Sequence, residues 1–219
     1  MKWPCKRNET TPTIEPPIDG PIAERQGKTG CLIGHTARDK GANNKKWYAT
    51  HETWEEEYQQ WITHYDLDGN EILAEYELNL ASAKFSELCY QTRDEGRGRR
   101  GAAEDLAEAD CTEIISMHCN SYNGEVPGYE FWYLDGCIES KRFAQELHDA
   151  FKKKFPNHVS RGIKKAKRGS RAYGVLDACR DHGVRRCALA EWYFLDVESD
   201  FIPPEKIGEF LKEFGLHGG

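Results

Sequence analysis

The chain has 219 residues, 38% of them hydrophobic and 31% charged, and a formal net charge of −7. The length predicts one domain, and the composition is typical of a soluble globular protein. No apolar run is long enough to cross a bilayer, which excludes a transmembrane protein. The eight cysteines include no CxxC pair, so we expect reduced, mostly buried thiols rather than a disulfide scaffold.

The N-terminal segment, residues 1–29, is rich in proline, threonine and charged residues and has no sustained period. We predict an irregular arm for this segment and a single folded domain over residues 30–219. Prolines and charges stand where a secretory signal would need an apolar stretch. We therefore expect synthesis in the cytoplasm without a signal peptide.

Residues 30–219 alternate between short apolar runs and helical patterns. Four runs predict buried strands: "TGCLIG", "TEIISMH", "GYEFWYL" and "RCALAEWYFL". Apolar residues recur at helical spacing in four further segments: 75–89, 99–109, 138–155 and 204–214. This alternation predicts an α/β fold, a single domain with a mixed, mostly parallel central sheet flanked by helices on both faces.

An aromatic pattern marks residues 51–65, which follow the first predicted strand. The aromatic side chains recur at steps of four, three and four: Trp54, Tyr58, Trp61 and Tyr65. This spacing predicts an amphipathic helix within an insertion of about residues 45–70. We interpret the aromatic stripe as packed against the domain, and lining of a substrate groove is the alternative.

A basic cluster covers residues 152–171, which contain nine lysines or arginines and no acidic residue. Such a run is most often a solvated face, although it can also dock nucleic acid, an anionic membrane surface or another polyanion. Because the chain as a whole is acidic and carries no motif that reads a nucleic-acid groove, we expect no nucleic-acid partner.

Two predicted strands end in a histidine, His35 and His118, and Glu75 begins a helical segment between them. Sites in open α/β sheets lie at the carboxyl ends of the strands. Zinc in a hydrolytic site takes three histidine or carboxylate ligands and leaves the fourth position to water. These three residues would supply such a set, although their separations of 40 and 43 residues do not form a local motif.

The residues around these positions form five segments in a recognisable order: "GHTARDKGA", "LAEYELNLA", "IISMHCNS", "GYEFWYL" and "CALAEWYFLDVESD". On these segments the sequence resembles the Amidase_3 family of zinc-dependent N-acetylmuramoyl-L-alanine amidases, from about residue 30 to about residue 215. His35 stands in the family's Gly-His signature, and Glu75 begins the segment that contains "LNL". His118 stands in "SMHCN", where the family has S-I-H-x-N, and Glu191 opens the last motif.

The resemblance implies a site and a reaction. His35, Glu75 and His118 would bind one Zn²⁺ ion, and Glu191 would be the general acid/base. Residues 30–219 would be the zinc amidase catalytic domain. The substrate would be peptidoglycan, cleaved at the amide between N-acetylmuramic acid and the L-alanine of the stem peptide.

Several alternatives stay open within the sequence. The predicted insertion holds three rival metal ligands: His51, Glu52 and His64. Glu75 is preferred because it alone stands in the E-x-x-LNL context of the family. Glu113 and Glu130 border apolar runs, and we interpret them as residues at the edge of the site. The segment "CYQTRDEGRG" is shorter than the strand and loop of the family, which leaves the number of strands open.

The predicted biological role is that of a phage endolysin, a monomer that is released from the host cytoplasm to act on the cell wall. Within enzymes, the alternative is a zinc carboxypeptidase of the same stem peptides, because the metal chemistry is shared. From a different class, the alternative is a non-catalytic binding module that uses the basic cluster of residues 152–171.

Overall fold

The fold is a central sheet between two layers of helices, in a computed structural model that describes residues 27–39, 41–42, 63–65, 71–94, 98–170 and 173–216. The six strands of the sheet are β1 (Lys28–Ile33), β4 (Cys89–Gln91), β5 (Cys111–Asn120), β6 (Tyr129–Leu134), β7 (Ser160–Ala166) and β8 (Arg186–Phe194). Two short strands, β2 (Thr63–Tyr65) and β3 (Glu71–Leu73), form a separate antiparallel pair. The helices are α1 (Glu75–Ser86), α2 (Gly98–Glu108), α3 (Ile138–Lys154), α4 (Gly174–Asp181) and α5 (Pro204–Leu216).

The order of strands in the sheet is β4-β1-β5-β8-β6-β7. All neighbouring pairs are parallel except β6 and β8, which run antiparallel. The prediction of a single α/β domain with a mixed, mostly parallel sheet is therefore confirmed. The parallel strands β1, β5 and β8 end at one edge of the sheet, which is the edge where sites form in this class of fold.

Both faces of the sheet are covered by helices, as predicted. Helices α1, α3 and α5 pack on one face through residues such as Leu78, Phe143 and Phe210. Helices α2 and α4 pack on the opposite face, where Leu106 and Leu176 are fully buried. Each layer buries apolar side chains against the sheet, and this burial is the main stabilising contribution to such a core.

The alternation of side chains along each strand decides where the polar residues point. On β5, Met117 contacts the core under α1, α3 and α5, while Ile114 contacts the core under α2 and α4. By this alternation His118 lies on the α2/α4 face. On β8, Leu189 packs on the same face, so Glu191 lies there too, near the carboxyl end of its strand.

One predicted helix is wrong in part. Residues 63–65 of the predicted helix over 51–65 form strand β2, which pairs antiparallel with β3. Thr63 and Tyr65 favour extended structure, and a partner strand follows within a few residues along the chain. Residues 51–62 and most of the predicted insertion lie outside the described residues, as does most of the predicted arm.

The described cations of the basic cluster lie at the surface, as their charge predicts, and part of the cluster is a strand of the sheet. Residues 160–166 form β7, the strand at one edge of the sheet. Lysines and arginines are common on edge strands because their charge opposes pairing with a second chain. Several of these cations form ion pairs, for example Lys154 with Glu213 and Lys165 with Asp135.

The short strand β4 begins at Cys89, where the apolar pattern predicts the end of a helix. The described cysteines are free thiols, and all of them except Cys89 are buried, as predicted. Among the described residues, no helix combines the length and the apolar composition needed to cross a membrane.

Candidate metal centre and active site

Three side chains meet at the carboxyl edge of the sheet, and each comes from a different element. His35 follows β1, Glu75 is the first residue of α1, and His118 lies near the end of β5. One ligand atom from each residue lies within 4.8 Å of the other two. The structure therefore brings together the three residues of the predicted metal site, which we call the metal cluster.

His35 reaches the cluster through an unusual backbone turn. The Gly34 N–H donates to the Met117 carbonyl at 3.0 Å, so β1 stays attached to β5 up to that residue. The next residue, His35, has a φ of 57°, in the left-handed region. This conformation is uncommon outside glycine and costs free energy, so it is concentrated at functional sites. The turn places His35 Nε2 3.4 Å from Glu75 Oε2.

Glu75 is the buried centre of the metal cluster, with only 3% of its surface exposed. Its Oε2 accepts the backbone N–H of Ala42 at 2.9 Å, and its Oε1 lies 2.8 Å from His118 Nδ1. Among the described residues, no lysine or arginine forms an ion pair with it. A buried carboxylate without a cationic partner is costly, and a bound metal ion removes that cost.

Two glycines leave the space that the metal cluster occupies. A Cβ atom on Gly34 would lie 2.4 Å from Cε1 of His118. A Cβ atom on Gly41, whose φ is +76°, would lie 2.3 Å from Oε2 of Glu75. Both contacts are far too short, so any larger residue would displace a ligand side chain. The Gly-His and Gly-Ala pairs of the sequence are therefore requirements of the cluster's geometry.

The chemistry of the donors fits zinc. Two imidazoles and one carboxylate form a ligand set typical of catalytic zinc sites, in which the protein supplies three ligands. Of the rival ligands, His51 and Glu52 lie outside the described residues. For His64 the structure describes the strand that contains it, but not its side chain.

Glu191 lies beside the metal cluster. In the sheet it is directly opposite His118 on β5 and opposite Glu130 on β6. Its Oε2 is buried and has no hydrogen-bond partner among the described residues. Burial raises the pKa of Glu191 well above its usual range, the Glu75 and Glu130 carboxylates raise it further, and Lys164 opposes them. Such a carboxyl group exchanges its proton closer to neutral pH than an ordinary glutamate.

Glu130 is buried as deeply as Glu75 but has quite different partners. Its Oε2 accepts hydrogen bonds from Arg161 Nε, at 2.8 Å, and from Lys164 Nζ. Its Oε1 accepts the indole N–H of Trp132 at 3.0 Å. Burial acts to raise the pKa of Glu130, but the hydrogen bonds from Lys164 and Arg161 outweigh it and lower the pKa. Glu130 therefore stays ionised beside Glu191.

The other acidic residue that the sequence places at an edge, Glu113, is far from a metal-binding arrangement. It accepts hydrogen bonds from Thr29 Oγ1 and from Arg186 Nε, both at 2.8 Å. Arg186 also pairs with Glu146 at 2.7 Å. These contacts tie β5 to β1 and β8 at the opposite end of the strands, so they serve the fold.

Residues 32–201 match the model of the Amidase_3 family, described as N-acetylmuramoyl-L-alanine amidase. The chain belongs to this family. The match spans the metal cluster, Glu191, the last two residues of β1 and the other five strands of the sheet. The family predicted from the five sequence segments is thus confirmed. No curated protein sequence matches the chain.

Three solved structures show that the chain shares its fold with known proteins. The N-acetylmuramoyl-L-alanine amidase AmiC2 of Nostoc punctiforme is 18% identical, with a TM-score of 0.56 over 87% of this chain and 97% of that one. The catalytic domain of the CD27L endolysin targeting Clostridia difficile is 14% identical, with a TM-score of 0.58 over 87% and 97%. Cwp6 from Clostridium difficile is 20% identical, with a TM-score of 0.58 over 87% of this chain. The chain spans 28% of the length of Cwp6.

Sequence reasoning missed two side chains that contact Glu130, namely Arg161 and Lys164. They belong to the basic cluster, for which the sequence predicts a solvated face. The available signal was Glu130 itself, because a carboxylate inside an apolar strand requires a cationic or hydrogen-bonding partner. What the sequence could not supply was the pairing of β6 with β7, which selects these two cations from the nine in the cluster.

Proposed function

We propose that the protein hydrolyses the amide between N-acetylmuramic acid and the L-alanine of the peptidoglycan stem peptide. His35, Glu75 and His118 hold one zinc ion, and Glu191 is the general acid/base. One observation carries the proposal, which is the meeting of a buried His-Glu-His set with the unpartnered Oε2 of Glu191. Membership of the amidase family supports the choice of bond.

The residues of the site have distinct tasks in this proposal. Zinc, when bound, polarises the scissile carbonyl group and lowers the pKa of the attacking water. Glu75 supplies the negative charge that attracts the ion, and the Ala42 N–H fixes its orientation. Glu191 accepts the proton of the attacking water through its free Oε2 and returns it to the departing amine of L-alanine.

Digestion of purified sacculi tests the proposal. The wild-type protein is compared with Glu191→Gln, with a chelated sample, and with Glu108→Gln as a control on the exposed end of α2. We expect new L-alanine amino termini from the wild type and the control only. Glu191→Gln should retain one equivalent of zinc while its rate falls at least about 100-fold, since general acid/base catalysis contributes about 10²- to 10⁴-fold. Undiminished cleavage by Glu191→Gln, or by metal-free protein, would contradict the proposal.

The same digestion separates the alternative enzyme. A carboxypeptidase of the stem peptide would release a C-terminal amino acid and leave the muramoyl amide intact, so it would produce no L-alanine amino termini. A non-catalytic module would release nothing, and its binding would fall steeply with salt and survive chelation. The ion pairs of Lys154 and Lys165 reduce the free charge that such a module needs.

The endolysin role is a further part of the proposal. The fold occurs in bacterial amidases and in an endolysin catalytic domain, so the role depends on where and when the protein acts. If it is an endolysin, cells that produce it should lyse only when a second protein permeabilises their cytoplasmic membrane. Lysis without permeabilisation would indicate an enzyme that reaches the wall by itself.

A further inference from the structure

A group of four side chains continues the row of polar residues beyond Glu191. It comprises Glu130 and Trp132 on β6 with Arg161 and Lys164 on β7, and we call it the cationic flank. Trp132 pairs with Lys164 across the strands, and Glu130 pairs with Glu191. Paired residues point to the same face of a sheet. Lys164 therefore lies on the same face of the sheet as Glu191 and the metal cluster. Its strand, β7, is two strands away from β8, the strand of Glu191.

The cationic flank carries an excess of positive charge that it presents to solvent. Arg161 and Lys164 both donate to the same oxygen of Glu130, so two cations share one carboxylate. Their side chains remain 33% and 32% exposed, while Glu130 beneath them is buried. A guanidinium has five N–H donors and an ammonium three. Each cation thus keeps donors for an external anion.

Aromatic rings fix the position of the lysine. Lys164 Nζ lies 5.4 Å from the centre of the Trp132 ring, and Tyr173 stacks on Trp132 with ring centres 4.2 Å apart. Burial raises the pKa of Tyr173, and the charges of Glu191 and Glu130 raise it further, which agrees with a ring close to both carboxylates. A cation held in this way loses little side-chain entropy when a ligand binds.

We propose that Lys164, assisted by Arg161, binds a carboxylate of the stem peptide and makes the enzyme prefer stems whose second residue has a free α-carboxylate. This rests on the proposed function. The second residue is linked through its side chain, and its α-carboxyl group is free in some bacteria and amidated in others. The free form is an anion that can form a charge-assisted hydrogen bond, whereas the amide is neutral.

The spacing agrees with this assignment. Neighbouring strands lie about 4.8 Å apart, so the backbone of Lys164 on β7 is about 10 Å from β8, in line with Leu189. Its Nζ donates to Glu130, the residue directly opposite Glu191. An extended peptide advances about 3.3–3.6 Å per residue. With the scissile amide at Glu191, the second stem residue lies about 7 Å along the peptide. Its carboxylate then falls within reach of the long Lys164 side chain.

The test uses two soluble disaccharide peptides that differ only in the second stem residue, D-isoglutamate in one and D-isoglutamine in the other. For the wild-type holoenzyme we expect kcat/KM to be about tenfold higher on the isoglutamate substrate. In Lys164→Gln this ratio should fall toward one, and Lys164→Arg should restore it. Lys165→Gln is the matched control, since it removes the same charge from the adjacent residue, whose partner is Asp135.

The outcomes separate this inference from the proposed function. Equal kcat/KM on both substrates, or a Lys164→Gln variant that loses the same factor on both, would overturn the role of Lys164 and leave the amidase proposal standing. Cleavage of neither substrate would overturn both. If Lys164→Gln unfolds, Arg161→Gln provides the second variant, with a smaller fall in the ratio expected. The ratio itself does not respond to a purely structural loss, which lowers both rates together.

Discussion

Glu75 and Glu130 are equally buried, each with 3% of its surface exposed, yet their surroundings are opposite in charge. Glu75 contacts two histidines and a backbone N–H, whereas Glu130 is neutralised by an arginine and a lysine. A buried carboxylate that forms no ion pair with a lysine or arginine can bind a metal ion. A buried carboxylate that pairs with lysine and arginine side chains instead holds those side chains in position. The first is the chemistry of a metal ligand, and the second is that of a support for a binding surface.

Glu191 lies between these two regions and is influenced by both. It is opposite His118 on one side and Glu130 on the other. Neither neighbour donates a hydrogen bond to its buried Oε2. The two regions thus influence the position and the pKa of Glu191 without forming a hydrogen bond to its Oε2. This oxygen therefore stays available to a substrate or a water molecule.

The largest expected effect comes from Glu75→Gln, which removes the charge of the metal cluster. The variant should bind zinc more weakly than wild type by more than the roughly 10- to 100-fold that loss of an outer partner of a ligand costs. Its activity on sacculi should fall to background. Metal content after dialysis and titration with zinc measure the effect, and Glu130→Gln is the matched control, which should retain one zinc.

In the metal-free proteins, we expect Glu130→Gln to lose stability and Glu75→Gln to lose none, which is the reverse of their effects on zinc binding. Metal-free Glu75→Gln should be at least as stable as metal-free wild type, because the change removes a buried charge that forms no ion pair with a described lysine or arginine. Equal zinc affinity in Glu75→Gln and wild type would contradict the contrast between the two carboxylates.

Glu130→Gln should have a smaller effect, which is a loss of folding stability. Arg161 and Lys164 would lose their carboxylate, but each is about one third exposed, so solvent compensates part of the loss. We expect the free energy of unfolding to fall by about 1–2 kcal/mol, less than the 3–5 kcal/mol typical of a fully buried broken pair. Urea denaturation of the metal-free proteins measures it. No loss of stability would mean that the flank's contacts are weaker than their geometry indicates.

Sequence reasoning succeeded where a local pattern fixes the structure. The apolar runs that end at His35 and His118 predict two strands, and parallel strands place their carboxyl ends together. The apolar residues after Glu75 predict a helix there, and in the structure this helix is buried on nearly all sides. Local signals thus suggest where the two histidines lie, whereas the choice of Glu75 over His51, Glu52 and His64, and the role of Glu191, come from the resemblance to the family.

The cationic flank could not be predicted because it depends on pairing between strands that are distant in the sequence. Nothing in the segment around Glu130 indicates that β6 runs antiparallel to β8, which is what places Glu130 beside Glu191. In β7 the alternation is hidden by lysines and arginines and is interrupted at Gly162, whose φ is +77°. A pattern of this kind predicts surface charge, and only the tertiary structure reveals which two charges face the site.

The smallest expected effect is on the pH dependence of catalysis. In its proposed role as the base, Glu191 must be ionised, so kcat/KM should fall as the pH is lowered through its pKa. Burial raises that pKa and the charges of Glu75 and Glu130 raise it further, whereas a cation bound at Glu75 acts in the opposite direction. Because Lys164 lowers the pKa of Glu191, Lys164→Gln should move the acidic limb to higher pH, while Lys165→Gln should leave it in place. A pH–rate profile of the three proteins measures the shift. If the acidic limb of Lys164→Gln coincided with that of wild type, the cationic flank would act on the substrate alone and not on Glu191.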